Sequence, residues 1–106
     1  MKDRNQKIQE MHALEQNIHN IVMQKQAFQM ELSETKSALK EIEKSGDDIF
    51  KIIGQLMIKK DKSEIKKELE NKEKLLDMRI KSFDTQENNL SEKLEKLRED
   101  AIKDVK

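Results

Sequence analysis

The chain has 106 residues, 22 of them basic and 22 acidic, so its formal net charge is zero. Charged residues make up 42% and hydrophobic ones 34%, with two Gly and no Pro, Cys, Trp or Tyr. This excludes disulfide-stapled secreted domains, collagen and Pro- or Gly-rich linkers, and it leaves too little apolar material for a compact single core. What remains is a disordered polyampholyte or a set of long helices, and periodicity decides between them.

The first predicted element is a helix over about residues 5–44. Met11, Leu14, Ile18, Ile21, Phe28, Leu32, Leu39 and Ile42, with Lys25 and Thr35, recur at alternating spacings of three and four. That is a heptad stripe, the pattern of a coiled-coil seam. Met11, Ile18, Lys25, Leu32 and Leu39 take position a; Leu14, Ile21, Phe28, Thr35 and Ile42 take d. Lys44-Ser45-Gly46 reads as a helix end, with Gly46 in the left-handed region just beyond it.

A short segment of different character follows, over about residues 48–60. Ile49-Phe50-Lys51-Ile52-Ile53 is β-branched and aromatic, Gly54-Gln55 is a two-residue turn, and Leu56-Met57-Ile58 continues the apolar run. This predicts a β-hairpin. A second helix is expected over about 63–105, opened by a capping box in Asp61-Lys62-Ser63-Glu64 with Asp61 or Ser63 as N-cap. Leu69, Leu76, Phe83, Leu90 and Leu97 fall every seventh residue at d, with Glu73, Ile80, Glu87, Leu94 and Ala101 at a.

The hairpin reverses the chain, so the helices should pair antiparallel, a against d. One register satisfies nearly every layer: Leu39 opposite Leu69, Leu32 opposite Leu76, Ile18 opposite Leu90 and Met11 opposite Leu97. A disordered polyampholyte would not produce it. Lys25, Glu73 and Glu87 fall in the seam, where they cost stability and fix register; their stems are expected to lie along it with their heads in water. The hairpin itself points to assembly. Two isolated strands are marginal in water, and unpaired edges are normally covered, so Ile49, Phe50, Ile52, Ile53, Leu56, Met57 and Ile58 are expected to pair with other chains.

Helix, hairpin and helix in this order resemble the beta-type subunits of the prefoldin family. The resemblance is carried by Asp48-Ile49-Phe50-Lys51 with Gly54, Leu56-Met57-Ile58 and Lys59, then Glu64 and Glu68-Leu69. Upstream, Gln24-Lys25-Gln26, Glu34-Thr35-Lys36 and Ala38-Leu39 also look like the archaeal beta subunit. It covers about residues 5–105, and a single hairpin fits the beta type, since alpha types carry two. The resemblance implies a mainly α fold: a long antiparallel two-helix coiled coil joined by one β-hairpin that pairs with other subunits into a β-barrel. It further implies an ATP-independent chaperone of two alpha and four beta subunits that hands non-native proteins to a group II chaperonin. The chain departs from the family in ending soon after Val105 and in a somewhat more apolar hairpin.

Other chemistry is sparse. His12 and His19 lie seven apart at b positions, too far apart for one metal. Asp47-Asp48 lacks the alternating oxygen ligands of a calcium loop and reads as turn chemistry. No nucleophile with a base, and no phosphate loop, is present. Neither enzyme activity nor a cofactor is expected. Mixed charge without a basic block argues against nucleic acid. The most apolar window, Ile49 to Ile58, is about half of a bilayer span, and no leader precedes the first helix, so a cytoplasmic protein without membrane contact is expected. Met23, Met30 and Met78 lie off the seam. Where the helices end, Ile8, Ile102 and Val105 fall outside the seam register and, with Met11, are candidates to contact non-native clients; Met11 and Ala101 can equally close the last seam layers. The alternative function is a structural scaffold or tether with one fixed partner, which would not need strands at its bend.

Overall fold

The computed structural model describes residues 3–105, with side chains through Lys103. The order is α1 (Arg4–Lys44), β1 (Ile49–Ile53), β2 (Leu56–Lys60) and α2 (Lys62–Val105). The chain divides into two units. One runs from Phe28 to Arg79; the other joins the residues up to Ala27 with those from Ile80 onward.

In the hairpin unit, β1 and β2 pair antiparallel, Ile53 with Leu56 and Ile49 with Lys60. Gly54 holds a φ of 60°, and no atom would meet a Cβ placed there. The demand for glycine is therefore conformational. Positive φ at the first central residue alone is the pattern of a type II′ turn, whose twist matches the strands. The helical parts of this unit pair antiparallel, as Lys72–Glu31 at 3.0 Å and Lys66–Glu43 at 3.8 Å show. The Lys66–Glu43 pair and the Arg79–Phe28 contact bracket the expected Leu32–Leu76 layer. Leu76 is 4% exposed, and Ile42, Ile65 and Thr35 are also buried. The Thr35 hydroxyl donates to the Glu31 carbonyl of its own helix at 2.8 Å, so the polar seam residue is satisfied locally.

One expectation is corrected where α1 meets the hairpin. Gly46 does not take a positive φ; Gly54 alone does among the described residues. The end of α1 is closed differently. The Ser45 hydroxyl donates to the Ile42 carbonyl, and the Lys62 ammonium donates to the Ser45 carbonyl at 2.8 Å. These side-chain bonds close the helix end without a left-handed residue. Carrying the heptad back to residue 62 would put Lys62 in the seam. Because that lysine caps α1, Ile65 at position g takes the buried place. Asp61 is the N-cap of α2: its carbonyl accepts from the Ile65 amide, and its carboxylate accepts from the Ser63 hydroxyl.

In the unit holding the chain ends, α1 opens on a reciprocal capping box. The Gln6 amide donates to the Asp3 carboxylate at 2.8 Å, and the Asp3 amide donates to the Gln6 side chain at 3.2 Å. Both orphan donors are satisfied. The helices are again antiparallel, with Lys25 bonded to Asp84 and Glu87, and Glu15 to Arg98. These contacts bracket the expected Ile18–Leu90 layer. Among the described residues, Leu94 is the buried apolar side chain here. Among the described residues no helix is long and apolar enough to cross a membrane.

Candidate functional site

The hairpin surface is built by strand alternation. Ile49, Lys51 and Ile53 share one face with Leu56, Ile58 and Lys60; Phe50 and Ile52 share the other with Met57 and Lys59. Lys51 reaches Glu68 of α2 at 3.1 Å, and on its face Ile49, Lys51 and Lys60 are half-buried. The opposite face is open: Ile52 is 69% exposed and Met57 68%. Phe50, Ile53, Leu56 and Ile58 are exposed as well. The sheet has two strands, so each keeps an outer edge of unpaired backbone groups. A surface that is both apolar and edge-exposed is what chains cover by pairing with another chain.

The second candidate lies where the helices end. Ile8, Met11, Ala101 and Ile102 line one cleft of about 270 Å³ between Arg4 and Arg98. Ile102 is 61% exposed, while Ile8, Met11 and Ala101 are half-buried. Three of the four predicted contact residues are therefore brought together; the side chain of Val105 lies outside the described residues. The arginines were not anticipated, although the heptad projection places Arg4 at a and Arg98 at e, beside the cleft. Arg98 is held by Glu15 at 3.4 Å and lies 3.9 Å from Glu95. Its stem forms part of the wall while its head stays in water.

The seam of this unit carries an ionic layer. Lys25, its side chain 21% exposed, contacts the Asp84 carboxylate and lies 3.4 Å from Glu87. The two carboxylates hold its head across the seam. The hydrogen bond that the ammonium donates to Asp84, then the charges of Asp84 and Glu87, hold it above its ordinary value, against partial burial that lowers it. In the hairpin unit, Arg79 stacks over the Phe28 ring at 5.6 Å, a cation–π contact. His12 and His19 are exposed, as are Met23, Met30 and Met78. Among the described residues no three His, Asp or Glu side chains converge as a metal-binding group.

Comparison with known proteins agrees with this geometry. A family profile described as "Prefoldin subunit" matches residues 5–106. The chain is 39% identical over 90 residues to the "Prefoldin subunit beta" of Thermococcus onnurineus, covering 83% of this chain and 78% of that one. It is 36% identical over 90 residues to the protein of the same description from Pyrococcus furiosus, covering 83% and 77%. Among solved structures, the prefoldin beta subunit from Thermococcus strain KS-1 superposes with a TM-score of 0.86 at 34% identity, covering 92% of this chain and 88% of that one.

Proposed function

The chain belongs to the prefoldin subunit family as a beta-type member, and from that premise we propose that it captures non-native proteins at its helix ends and delivers them to a group II chaperonin. The family is one of chaperones and not of enzymes. In this reading the hairpin joins the chain to alpha-type subunits, with two alpha and four beta chains per cytoplasmic hexamer.

The observation that carries the proposal is the open hairpin. Phe50, Ile52, Leu56 and Met57 are all exposed on a sheet with two free edges. Such a sheet is stable only when other strands complete it. A tether with one fixed partner would have no use for it. Assembly in turn sets several helix ends together, each with its small apolar cleft. A non-native protein displays scattered apolar groups, so no single shaped pocket recognises it. Many weak contacts raise one another's effective concentration instead. Release then follows competition by the chaperonin, and no nucleotide is required.

The test is a truncation lacking residues 1–8 and 101–106, mixed with an alpha-type subunit. It should still assemble as a hexamer, because the strands belong to the other unit. It should fail to suppress aggregation of an unfolding client in the absence of ATP. Undiminished protection would move the client contacts towards Met23, Met30 and Met78; a mixture that never exceeds a dimer would favour the tether.

A further inference from the structure

A second groove opens in the unit that holds the chain ends. It encloses about 440 Å³, with Ala13, Leu14 and Leu97 lining it and Lys93, Lys96 and Asp100 on its rim. These residues hold heptad positions c, d and g. The Ile8–Ile102 cleft draws on a, b and e, so the two openings lie on opposite flanks of the seam. The groove exists because Ala13 is exposed and ends at its Cβ, leaving Leu14 and Leu97 half-covered.

The rim has a definite charge character. Glu10 also borders the groove but is already engaged. Lys93 and Lys96 form no ion pair among the described residues. Within the groove's own lining Asp100 is the unengaged carboxylate; Glu92 and Glu99 flank the same two lysines on the outer side of α2, at heptad position f. An occupant that suits both floor and rim combines an apolar side chain with a nearby carboxylate.

Resting on the client-capture reading above, we propose that this groove is a second polypeptide-binding surface, selective for non-native segments in which an aliphatic or aromatic side chain neighbours Asp or Glu. A helix end with openings on both flanks grips two segments of one client at once. The second contact is then intramolecular and raises retention without a deep pocket. Selectivity stays modest, because exposed ion pairs contribute little each.

The experiment uses the full chain assembled with an alpha-type subunit and two fluorescein-labelled unstructured peptides. Both carry the same Leu and Phe positions; one has Glu beside them and the other Lys. At low salt, anisotropy should show the Glu peptide binding about three- to tenfold more tightly. Lys93→Glu with Lys96→Glu should invert that order, which separates this rim from Arg4 and Arg98 of the other cleft. Ala13→Gln keeps the rim charges, fills the groove and should weaken both peptides. All three positions are exposed, and unchanged hexamer mass confirms that each variant assembles. Equal affinity for the two peptides, or an order that survives both charge reversals, overturns the proposal. Suppose Ile8→Ser with Ile102→Ser abolishes aggregation suppression while Ala13→Gln changes neither suppression nor peptide binding. The groove then fails while the client-capture reading stands. If none of these variants affects suppression, the reading itself fails.

Discussion

The two units expose apolar surface in different ways. At the hairpin, Ile52 and Met57 stand open beside strand edges whose amides and carbonyls also lack partners. Such a surface needs a partner of matched register, since a one-residue slip turns every side chain to the other face. At the chain ends, Ile8, Met11, Ala101 and Ile102 project from helices whose backbone bonds are already made. Nothing there prescribes direction or register. The first surface therefore suits strands of other subunits in one register, and the second suits many transient contacts.

The sharpest way to break this contrast is Ile52→Asp. If the hairpin is the obligate interface, the new carboxylate is buried without a partner, at a cost on the order of 3–5 kcal/mol per contact. Native mass spectrometry should show only small species, while circular dichroism still reports full helix. A hexamer of normal mass would place assembly elsewhere. Packing gives a second comparison. Leu76 is 4% exposed, and Leu76→Ala should cost about 2–4 kcal/mol in urea denaturation. Leu97 is half-buried at the edge of the open groove, and Leu97→Ala should cost about 1 kcal/mol, since little transfer free energy is lost there. Equal costs would mean that the two units share one uniformly packed seam.

How much of this was legible beforehand depends on how local the signal is. The heptads located both helices because period and burial coincide: the buried Ile42, Leu76 and Leu94 all hold a or d positions. The hairpin was legible because β-branched residues flank a glycine placed for a type II′ turn. Ile65 was missed because its burial follows from Lys62 turning aside to Ser45, a contact 17 residues apart in sequence. Gly46 misled for a related reason, as the cap arrives from the other helix. The capping box at Asp3 and Gln6 was legible in principle, an acidic residue followed three later by Gln. The cleft and groove were only half legible. Heptad positions identify their apolar floors, but whether a neighbouring Arg or Lys lies over the floor or leaves it open is set by rotamers and ion pairs.

A smaller effect is expected from single changes at the chain ends. Ile102→Ser should leave assembly intact and reduce aggregation suppression about two- to threefold, because it removes one contact among several. Complete loss from this single change would mean that one pocket dominates, and the contrast with the hairpin would collapse.

The finest test concerns how each unit treats a polar residue in its seam. Thr35 bonds to its own helix, so it says nothing about where α2 must lie. Lys25 bonds across the seam to Asp84 and Glu87, so it specifies register by charge. Replacing Lys25 and Glu87 together with Leu should raise the melting temperature slightly, as apolar layers often replace ionic ones without loss, while allowing alternative registers detectable by cysteine cross-linking. Lys25→Ala alone should lower it, leaving Glu87 in the seam without its cation. The pH dependence has a fixed sign. The folded state holds the Lys25 ammonium above its ordinary value of 10.5, so folding favours the protonated form. That contribution is complete below pH 10.5 and is lost as the pH rises through the higher folded value. Many other lysines titrate in the same range, so the informative quantity is the difference between the parent chain and the Leu–Leu variant in melting curves from pH 8 to about 11.5. The gap should widen in the variant's favour at the alkaline end. A constant gap would mean that Lys25 is held no more firmly when charged than when neutral, and the register would then rest on the leucines alone.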